Sequence, residues 1–336
     1  MSASRLDMIF FALRLDNSYI WDRRMENTWH RISESIKEVV PGSVKTIVWM
    51  GKITVLITFA MMLLKFFNIL PVISDFISPV FKLFGLPGAT ALAYISGYFV
   101  NCYSAIAVIS TLDLDWRAVT IIATMVLCSH SMVLETAVLK KTGASVVRVV
   151  LTRTLSALFL GFFLNKVLPG SPAASMDTVA QQWTLPFSKT FCDWLIATLK
   201  LLVLMAVIIF ALNILQRLLC EFGIMDLISR FFKPLMYLFG LPVNASFLWL
   251  VANIVGLGYG GAVMLEEIGR GELPDRDVQL LDTHISISHS NVEDLSLMTA
   301  LGGVWWIILS VRLCAAIVLV WGQRLEYFLR DKYNWQ

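Results

Sequence analysis

The sequence is poor in charge. Only 15% of its 336 residues are Asp, Glu, Lys or Arg, against about 25% in an average soluble domain. Hydrophobic residues make up 57%, and they collect in long runs such as 201–212, which contains no polar side chain. A membrane-spanning helix needs about 20 mostly apolar residues, and several segments reach that length with their flanks. The composition therefore excludes an ordinary soluble domain and predicts an all-α polytopic membrane protein.

The sequence also lacks the motifs of several other classes of protein. Its net charge is only +3 and no basic patch lies outside the termini, so nothing indicates a nucleic-acid partner. The five cysteines occur singly, which excludes a CxxC zinc knuckle or redox dithiol. Gly-x-Ser-x-Gly, P-loop and His-Glu-x-x-His motifs are all missing. We therefore expect neither an enzyme nor an ATP-driven pump, and no cofactor.

Composition divides the chain into five segments. We predict an amphipathic N-terminal arm (1–44), a first apolar unit (45–168), a polar linker (169–192), a second apolar unit (193–325) and a C-terminal tail (326–336). Seven Lys and Arg residues precede position 46, two lie in 166–192, and three follow Trp321. The positive-inside rule therefore predicts that both termini are cytoplasmic and that the linker lies outside.

The two apolar units repeat each other. Leu-Phe-Gly-Leu-Pro occurs at 83–87 and again at 238–242. Ser-His-Ser-x-Val-x-acid occurs at 129–135 and at 288–294, and a glycine and an arginine follow each copy at the same offset. Because the motifs recur in the same order, we predict two homologous units.

Each unit holds four apolar segments, but cytoplasmic termini and an external linker require an odd number of crossings per unit. The Ser-His-Ser segments are short and only weakly hydrophobic. We therefore predict that they form re-entrant hairpins and that each unit crosses the membrane three times. The two units would then be inverted repeats, a plan that recurs among secondary transporters.

The Ser-His-Ser motifs supply the leading candidates for a solute site, because ionisable groups inside a membrane are costly and usually mark a function. The predicted substrate-binding residues are Ser129, His130, Ser131, Ser288, His289, Ser290, Asn101 and Gly256. Coupling roles or structural ion pairs are predicted for Glu135, Asp294, Glu293, Arg153 and Arg312. Histidine suits proton coupling, since its unperturbed pKa is about 6.5.

Structural interpretations of the same residues stay open. Ser-His-Ser can cap a helix while the histidine binds the acid of its own unit. Each arginine can pair with Glu135 or Asp294 rather than with an anionic solute. Metal binding is a further alternative, because the histidines, the acids, Cys102 and Cys128 are suitable ligand types. Since a histidine at i and an acid at i+5 do not share a helix face, we predict no metal site.

Gly256 opens a Gly-x-Gly-x-x-Gly pattern at 256–261, which matches a dinucleotide-binding fingerprint. Here the pattern lies inside an apolar helix, without the preceding strand that such a site requires, so we exclude that function. The matching stretch of the first unit begins at Asn101. We predict a helix break at both positions, facing the hairpin tips; close packing through small residues is the alternative.

These residues together resemble the gate, or nucleoside-recognition, domain family, which includes the spore maturation proteins A and B. The resemblance rests on the Phe-Gly-Leu-Pro turns at 84–87 and 239–242 and on the segment 128–143, and it covers about 45–325. It implies a polytopic inner-membrane protein that moves or senses a solute. The Gly-Cys-x-Val-Pro motif of related ferrous-iron transporters is replaced by Val-Asn-Cys-Tyr-Ser at 100–104, which argues against ferrous iron.

The sequence thus predicts a secondary transporter or permease in a bacterial inner membrane. Its solute would be a nucleoside-like compound, an organic anion or an ion, bound between the two units. The lipid bilayer is its expected environment, and a homo-oligomer is compatible with this interpretation. The alternative is a membrane scaffold or sensor that partners another envelope protein, in which the paired motifs only lock helices together.

Overall fold

The computed structural model describes residues 28–170, 186–269 and 273–333. Within these ranges all regular secondary structure is helical, which confirms the predicted fold class. Most of the predicted arm, most of the linker and the end of the tail lie outside the described residues.

The helices of the described ranges are numbered in chain order. The first half contains α1 (Thr28–Phe66), α2 (Ile69–Phe81), α3 (Thr90–Phe99), α4 (Cys102–Ile109), α5 (Trp116–Ser129), α6 (Met132–Lys141) and α7 (Val146–Val167). The second half contains α8 (Phe187–Glu221), α9 (Ile224–Phe239), α10 (Ser246–Gly269), α11 (Asp275–Ile287), α12 (Glu293–Ala300) and α13 (Trp305–Tyr333). Short 3-10 turns occupy Lys82–Phe84 and Val243–Ala245.

Five segments of the described chain are long and apolar enough to cross a membrane. Four are the continuous helices α1, α7, α8 and α13, and the fifth is α5 with α6, interrupted at His130 and Ser131. Large apolar side chains such as Leu56, Val203 and Val318 are exposed on these helices. Such exposure is expected where the surface meets lipid.

Three helices of the described chain extend across the predicted segment boundaries. α1 continues across residue 44 and includes Pro41, α8 begins at Phe187 within the predicted linker, and α13 runs past 325 to Tyr333. Charged and polar residues at the ends of long helices resemble a linker in composition. The helices nevertheless continue through them, so the end of a helix and the change in composition do not coincide here.

α1 and α8 pack along each other and join the two halves of the chain. The hydroxyls of Thr58 and Thr198 lie 3.2 Å apart, and both side chains are buried. Toward the start of α1, Arg31 donates to the carboxylate of Glu221 over 3.1 Å. Because both contacts join residues far apart in the sequence, this helix pair holds the halves in a fixed register.

Positions that the motifs match between the halves share unusual backbone conformations. The φ angles are 64° and 70° at Gly85 and Gly240, 48° and 51° at Ser131 and Ser290, and 100° and 104° at Gly143 and Gly302. A positive φ turns the chain out of a helix and is rare for a residue with a side chain. The second Ser of each Ser-His-Ser motif therefore occupies an equivalent sharp turn.

Candidate functional site

The two Ser-His-Ser motifs meet in one buried ionic cluster, which we call the His–acid cluster: His130, His289, Glu135, Asp294 and Arg153. Nε2 of His130 lies 3.2 Å from Glu135 Oε1 and 3.2 Å from Asp294 Oδ2. Nε2 of His289 lies 3.2 Å from Glu135 Oε2, and the centroids of the imidazole rings are 5.0 Å apart. The structure thus brings together both predicted histidines and two of the predicted acids.

The pairing within this cluster crosses between the halves. His130 contacts the acid of its own half, Glu135, and also Asp294 of the other half. The contact of His289 is to Glu135, five residues beyond the first histidine rather than the second. The interpretation in which each histidine binds the acid of its own half therefore holds for His130 and is wrong for His289. The cluster therefore joins the two halves and does not form separately within each of them.

Local backbone geometry explains why a histidine and an acid five residues apart can touch. α5 ends at Ser129, His130 is extended with a ψ of 162°, and Ser131 adopts a left-handed turn before α6 begins. Positions i and i+5 do not share a face of a continuous helix. The turn replaces that helix and folds the first residues of α6 back onto His130.

All four ionisable side chains of the histidines and acids are buried, with at most 9% of any side chain exposed. Charged groups in such a place need partners, since desolvation otherwise destabilises the folded state. Arg153 supplies one: its Nη2 lies 2.7 Å from Glu135 Oε2. Arg153 therefore pairs with Glu135, as the structural interpretation of the sequence expects.

The two matched arginines also hold the ends of the helices that precede the motifs. Arg153 donates to the carbonyl oxygens of Cys128 (3.1 Å) and His130 (2.8 Å). Arg312 donates to those of Ile287 (3.0 Å) and His289 (2.8 Å). The carbonyls at the C-terminus of a helix lack intrahelical partners. Each buried guanidinium satisfies them at the point where the helix breaks.

Arg312 differs from Arg153 in its remaining contacts. It donates to the side chain of Asn291 (2.8 Å) and to the carbonyl of Leu127 in the first half (3.1 Å). The predicted ion pair with Asp294 is thus replaced by neutral acceptors. Asn291, just beyond the end of α11, offers Arg312 an amide oxygen as acceptor. The matching arginine of the first half, Arg153, binds the carboxylate of Glu135 instead.

The first serine of each motif is bound by its own half. The Ser129 hydroxyl donates to the Met125 carbonyl over 3.0 Å, one turn back in α5. The Ser288 hydroxyl lies 2.9 Å from His284 Nδ1, one turn back in α11. Both hydroxyls therefore have partners within the helix that they end, which supports a structural role for Ser129 and Ser288.

The second serine of each motif is fastened through its backbone. The N–H of Ser131 donates to the Gly97 carbonyl of α3 over 2.9 Å. The matching bond of the second half runs from the N–H of Ser290 to the Ala252 carbonyl of α10 over 3.1 Å. Each bond ties the left-handed turn to a neighbouring helix, so the two turns are held at equivalent places in the two halves.

The breaks predicted at Asn101 and Gly256 are both present. Asn101 separates α3 from α4, and its side-chain oxygen accepts a hydrogen bond from the N–H of Ser104 over 2.9 Å, which caps α4. Gly256 has a φ of 79° and a ψ of 170° inside α10. A Cβ at Gly256 would collide with the Ser290 hydroxyl. Gly256 therefore faces the second Ser-His-Ser turn, as predicted, while the side chain of Asn101 is occupied by a cap.

Tyr103 is a contributor that the sequence motifs do not reveal. Its hydroxyl donates a hydrogen bond to the carboxylate of Glu293 in the other half. Tyr103 follows Asn101 by two residues, in a stretch whose sequence predicts only a helix break. A tyrosine in an apolar helix has no spacing signal, so only the packing of α4 against the second half reveals its partner.

His130, Glu135 and His289 present ligand atoms that all lie within 4.8 Å of one another, as a metal site requires. The guanidinium of Arg153 already neutralises the same carboxylate at 2.7 Å, which disfavours a divalent cation there. The ring of His289 points Nδ1 at the carbonyl of Ile285 over 2.7 Å. When Nδ1 carries the hydrogen of that bond, Nε2 attracts the Glu135 carboxylate only if it is protonated too. With both ring nitrogens protonated, His289 would carry a positive charge 3.2 Å from the Glu135 carboxylate.

Comparison with known proteins agrees with this membrane architecture. The chain is 28% identical over 277 residues to the uncharacterized membrane protein YvoD of Bacillus subtilis (strain 168). The match covers 80% of this chain and 88% of the relative. The chain is similar to a bacterial membrane protein. No protein-family model matches the sequence, and no solved structure matches it. This similarity and the five long apolar segments identify a membrane protein with several spanning helices.

Proposed function

We propose that the protein is a secondary carrier for a small polar solute or ion, with the His–acid cluster as its binding and coupling site. The observation that carries the proposal is the meeting of His130 and His289 from opposite halves, with Glu135 between them. A buried ionic network is costly compared with packed apolar side chains of similar volume. Binding of a polar or charged species therefore explains the His–acid cluster better than stabilisation of the fold does.

The compactness of the cluster favours a proton as the species bound at its centre. Ring centroids 5.0 Å apart and N–O separations of 3.2 Å leave no room for a molecule between the imidazoles. A larger solute, such as a nucleoside-like compound or an organic anion, requires the halves to separate and expose these groups. Protonation of His289 strengthens its attraction to Glu135, so a proton would favour the closed arrangement and its release would favour opening.

Matched contacts support two homologous units; their inverted orientation in a bacterial inner membrane is inferred from the distribution of Lys and Arg. The turn residues Ser131 and Ser290 share their φ values and their bonds to a preceding helix, and Arg153 and Arg312 bind equivalent carbonyls. With both termini cytoplasmic, each unit would cross three times, and α5 with α6 would form a re-entrant hairpin at the cluster rather than the single span that their combined length allows. The resemblance to gate domains favours the same plan. Reporter fusions at both termini and within the linker test this orientation; a cytoplasmic linker would contradict it.

A broad ligand screen identifies candidate solutes. Purified protein is screened by thermal shift against nucleosides, organic anions and inorganic ions at several pH values, because a ligand of the folded state raises the Tm. Compounds that bind are then supplied to proteoliposomes. We expect His130→Ala, His289→Ala and the double variant to lose most of the uptake. Each variant removes at least one of the two imidazoles that contact the Glu135 carboxylate.

Two histidines outside the cluster provide matched controls. His284 is buried against Trp249 and Phe239, so His284→Ala tests the loss of a buried imidazole as such. His30 is exposed on α1, so His30→Ala tests the substitution alone. His30→Ala should retain uptake in full. His284→Ala also removes the contact of Nδ1 with the Ser288 hydroxyl, so its uptake is compared per folded protein and should exceed that of the cluster variants. Normal uptake by a folded His130→Ala/His289→Ala double variant would contradict the proposal.

A scaffold or sensor is the second candidate, and the internal bonding of the motif favours it. The Ser129 and Ser288 hydroxyls and both arginines bind groups of the protein itself. In that case the histidine variants would lower the Tm without changing any response to a solute. Uptake into proteoliposomes separates the candidates, because only a carrier shows transport that these variants abolish.

A further inference from the structure

A second polar site lies away from the His–acid cluster, where the turn before α7 meets α11 and α13. It is a cavity of about 180 Å³. Polar side chains in its walls include Ser145, Arg148, Gln279, Asp282, Ser286 and Gln323. The first two come from the first half of the chain and the other four from the second half, so the cavity also lies between the halves. Since one water needs roughly 10–15 Å³ of such space, the cavity admits a small ion with several waters.

Asp282 is the buried acid of this cavity. Its side chain is 2% exposed, and its Oδ2 accepts a hydrogen bond from the Thr142 hydroxyl over 2.6 Å. Its other oxygen, Oδ1, is buried without a hydrogen-bond partner among the described residues. A buried carboxylate oxygen in that state is costly, and a cation at hydrogen-bonding or coordination distance would relieve the cost.

The guanidinium of Arg148, which lines the same cavity, already has an ion-pair partner. Arg148 donates from Nη2 to the carboxylate of Glu326 over 2.9 Å, and Arg330 binds the same carboxylate over 2.7 Å. These groups lie toward the partly exposed end of the cavity, since the side chains of Arg148 and Glu326 are 39% and 34% exposed. Arg148 therefore leaves the buried oxygen of Asp282 without a counter-charge.

The remaining wall is rich in hydroxyl and amide oxygens held in fixed positions. The Thr283 hydroxyl bonds to the side chain of Gln323, which donates to the Tyr327 hydroxyl over 2.6 Å. Tyr327 in turn donates to Gln279 over 2.6 Å. Oxygen ligands suit hard cations. A single carboxylate matches one positive charge, whereas Ca²⁺ usually takes about six to eight oxygen ligands, several of them from carboxylates.

We propose that this cavity is a binding site for a small inorganic monovalent cation of the sodium type, with Asp282 as its charged ligand. Ser286 lies one helical turn beyond Asp282 on the same face of α11, and His289 follows just past the end of that helix. The cation site and the His–acid cluster are thus joined by one rigid helix. A role for the cation in coupling rests on the proposed carrier function, whereas its binding does not.

Binding is tested by thermal shift on the full-length protein in detergent, at fixed pH and fixed ionic strength. Sodium chloride is replaced stepwise by N-methyl-D-glucamine chloride, with lithium, potassium and calcium chloride in parallel series. We expect the Tm of the unaltered protein to rise with the logarithm of the sodium concentration above the dissociation constant. Asp282→Asn should abolish this dependence. Asp275→Asn, an exposed acid at the start of the same helix, should leave it unchanged.

Ser286→Ala provides a second variant if Asp282→Asn does not fold. Loss of one hydroxyl from the wall should move the Tm response to several-fold higher sodium concentrations. Equal sodium responses in the protein and all folded Asp282 and Ser286 variants would overturn the proposal, as would a response to calcium alone or to none of the ions. The His130→Ala/His289→Ala variant should keep the sodium response. Failure of the carrier proposal and failure of the cation site therefore give different results.

Discussion

A single glycine sets the contact between α10 and the second Ser-His-Ser turn. Gly256 has a backbone conformation that is essentially restricted to glycine, and an added Cβ would meet Ser290. We expect Gly256→Ala to lower the free energy of unfolding by roughly 1–3 kcal/mol, measured as a lower Tm in detergent. Gly322→Ala is the control, because a Cβ there meets nothing within 4 Å. That control should keep or slightly raise the Tm, since alanine favours a helix.

At the scale of helices, the break between α11 and α12 is held by one arginine. Arg312 donates to the carbonyls of Ile287 and His289 and to Leu127 across the halves. Arg312→Lys keeps the charge, but one ammonium group cannot replace the planar fork of donors. We expect it to lower the free energy of unfolding by about 3 kcal/mol or more, because at least two charge-assisted bonds are lost.

The control for this prediction uses an arginine with a well-formed but exposed ion pair. Arg276 binds both carboxylate oxygens of Asp331 over 2.6 and 2.7 Å at the surface. Exposed pairs contribute little to stability, so Arg276→Lys should leave the Tm nearly unchanged. Equal changes in Tm for the Arg276→Lys and Arg312→Lys proteins would show that the guanidinium hydrogen bonds of Arg312 do not stabilise the end of α11.

At the scale of the whole molecule, the halves are joined along α1 and α8. Since the hydroxyls of Thr58 and Thr198 lie 3.2 Å apart, cysteines at these positions should form a disulfide on oxidation. The native cysteines are first replaced by alanine, and the bond is detected by thiol alkylation and mass spectrometry. Cysteines at 56 and 198 are the control, because Leu56 is exposed on another face of α1. Equal cross-linking of both pairs would contradict the packing.

Many residues of the His–acid cluster could be predicted from the sequence, but which of them contact each other could not. Recurrence of Ser-His-Ser and of an arginine at a fixed offset identified the residues of the cluster, and the glycine pattern predicted the break at Gly256. The contacts of His130 with Asp294 and of Tyr103 with Glu293 join residues of opposite halves. No local spacing encodes such a contact, since it depends on how the two halves pack.

The cavity at Asp282 shows the same limit. In the sequence this residue only interrupts an apolar segment. Nothing there indicates that one oxygen of its carboxyl group accepts a hydrogen bond while the other has no partner among the described residues. Long apolar runs, a low charge content and repeated turn motifs by themselves determine a helical membrane protein with breaks at defined positions, because lipid leaves the backbone few alternatives. Which imidazole meets which carboxylate, and where a polar cavity remains, was decided only by the tertiary structure, since packing between distant helices sets those distances.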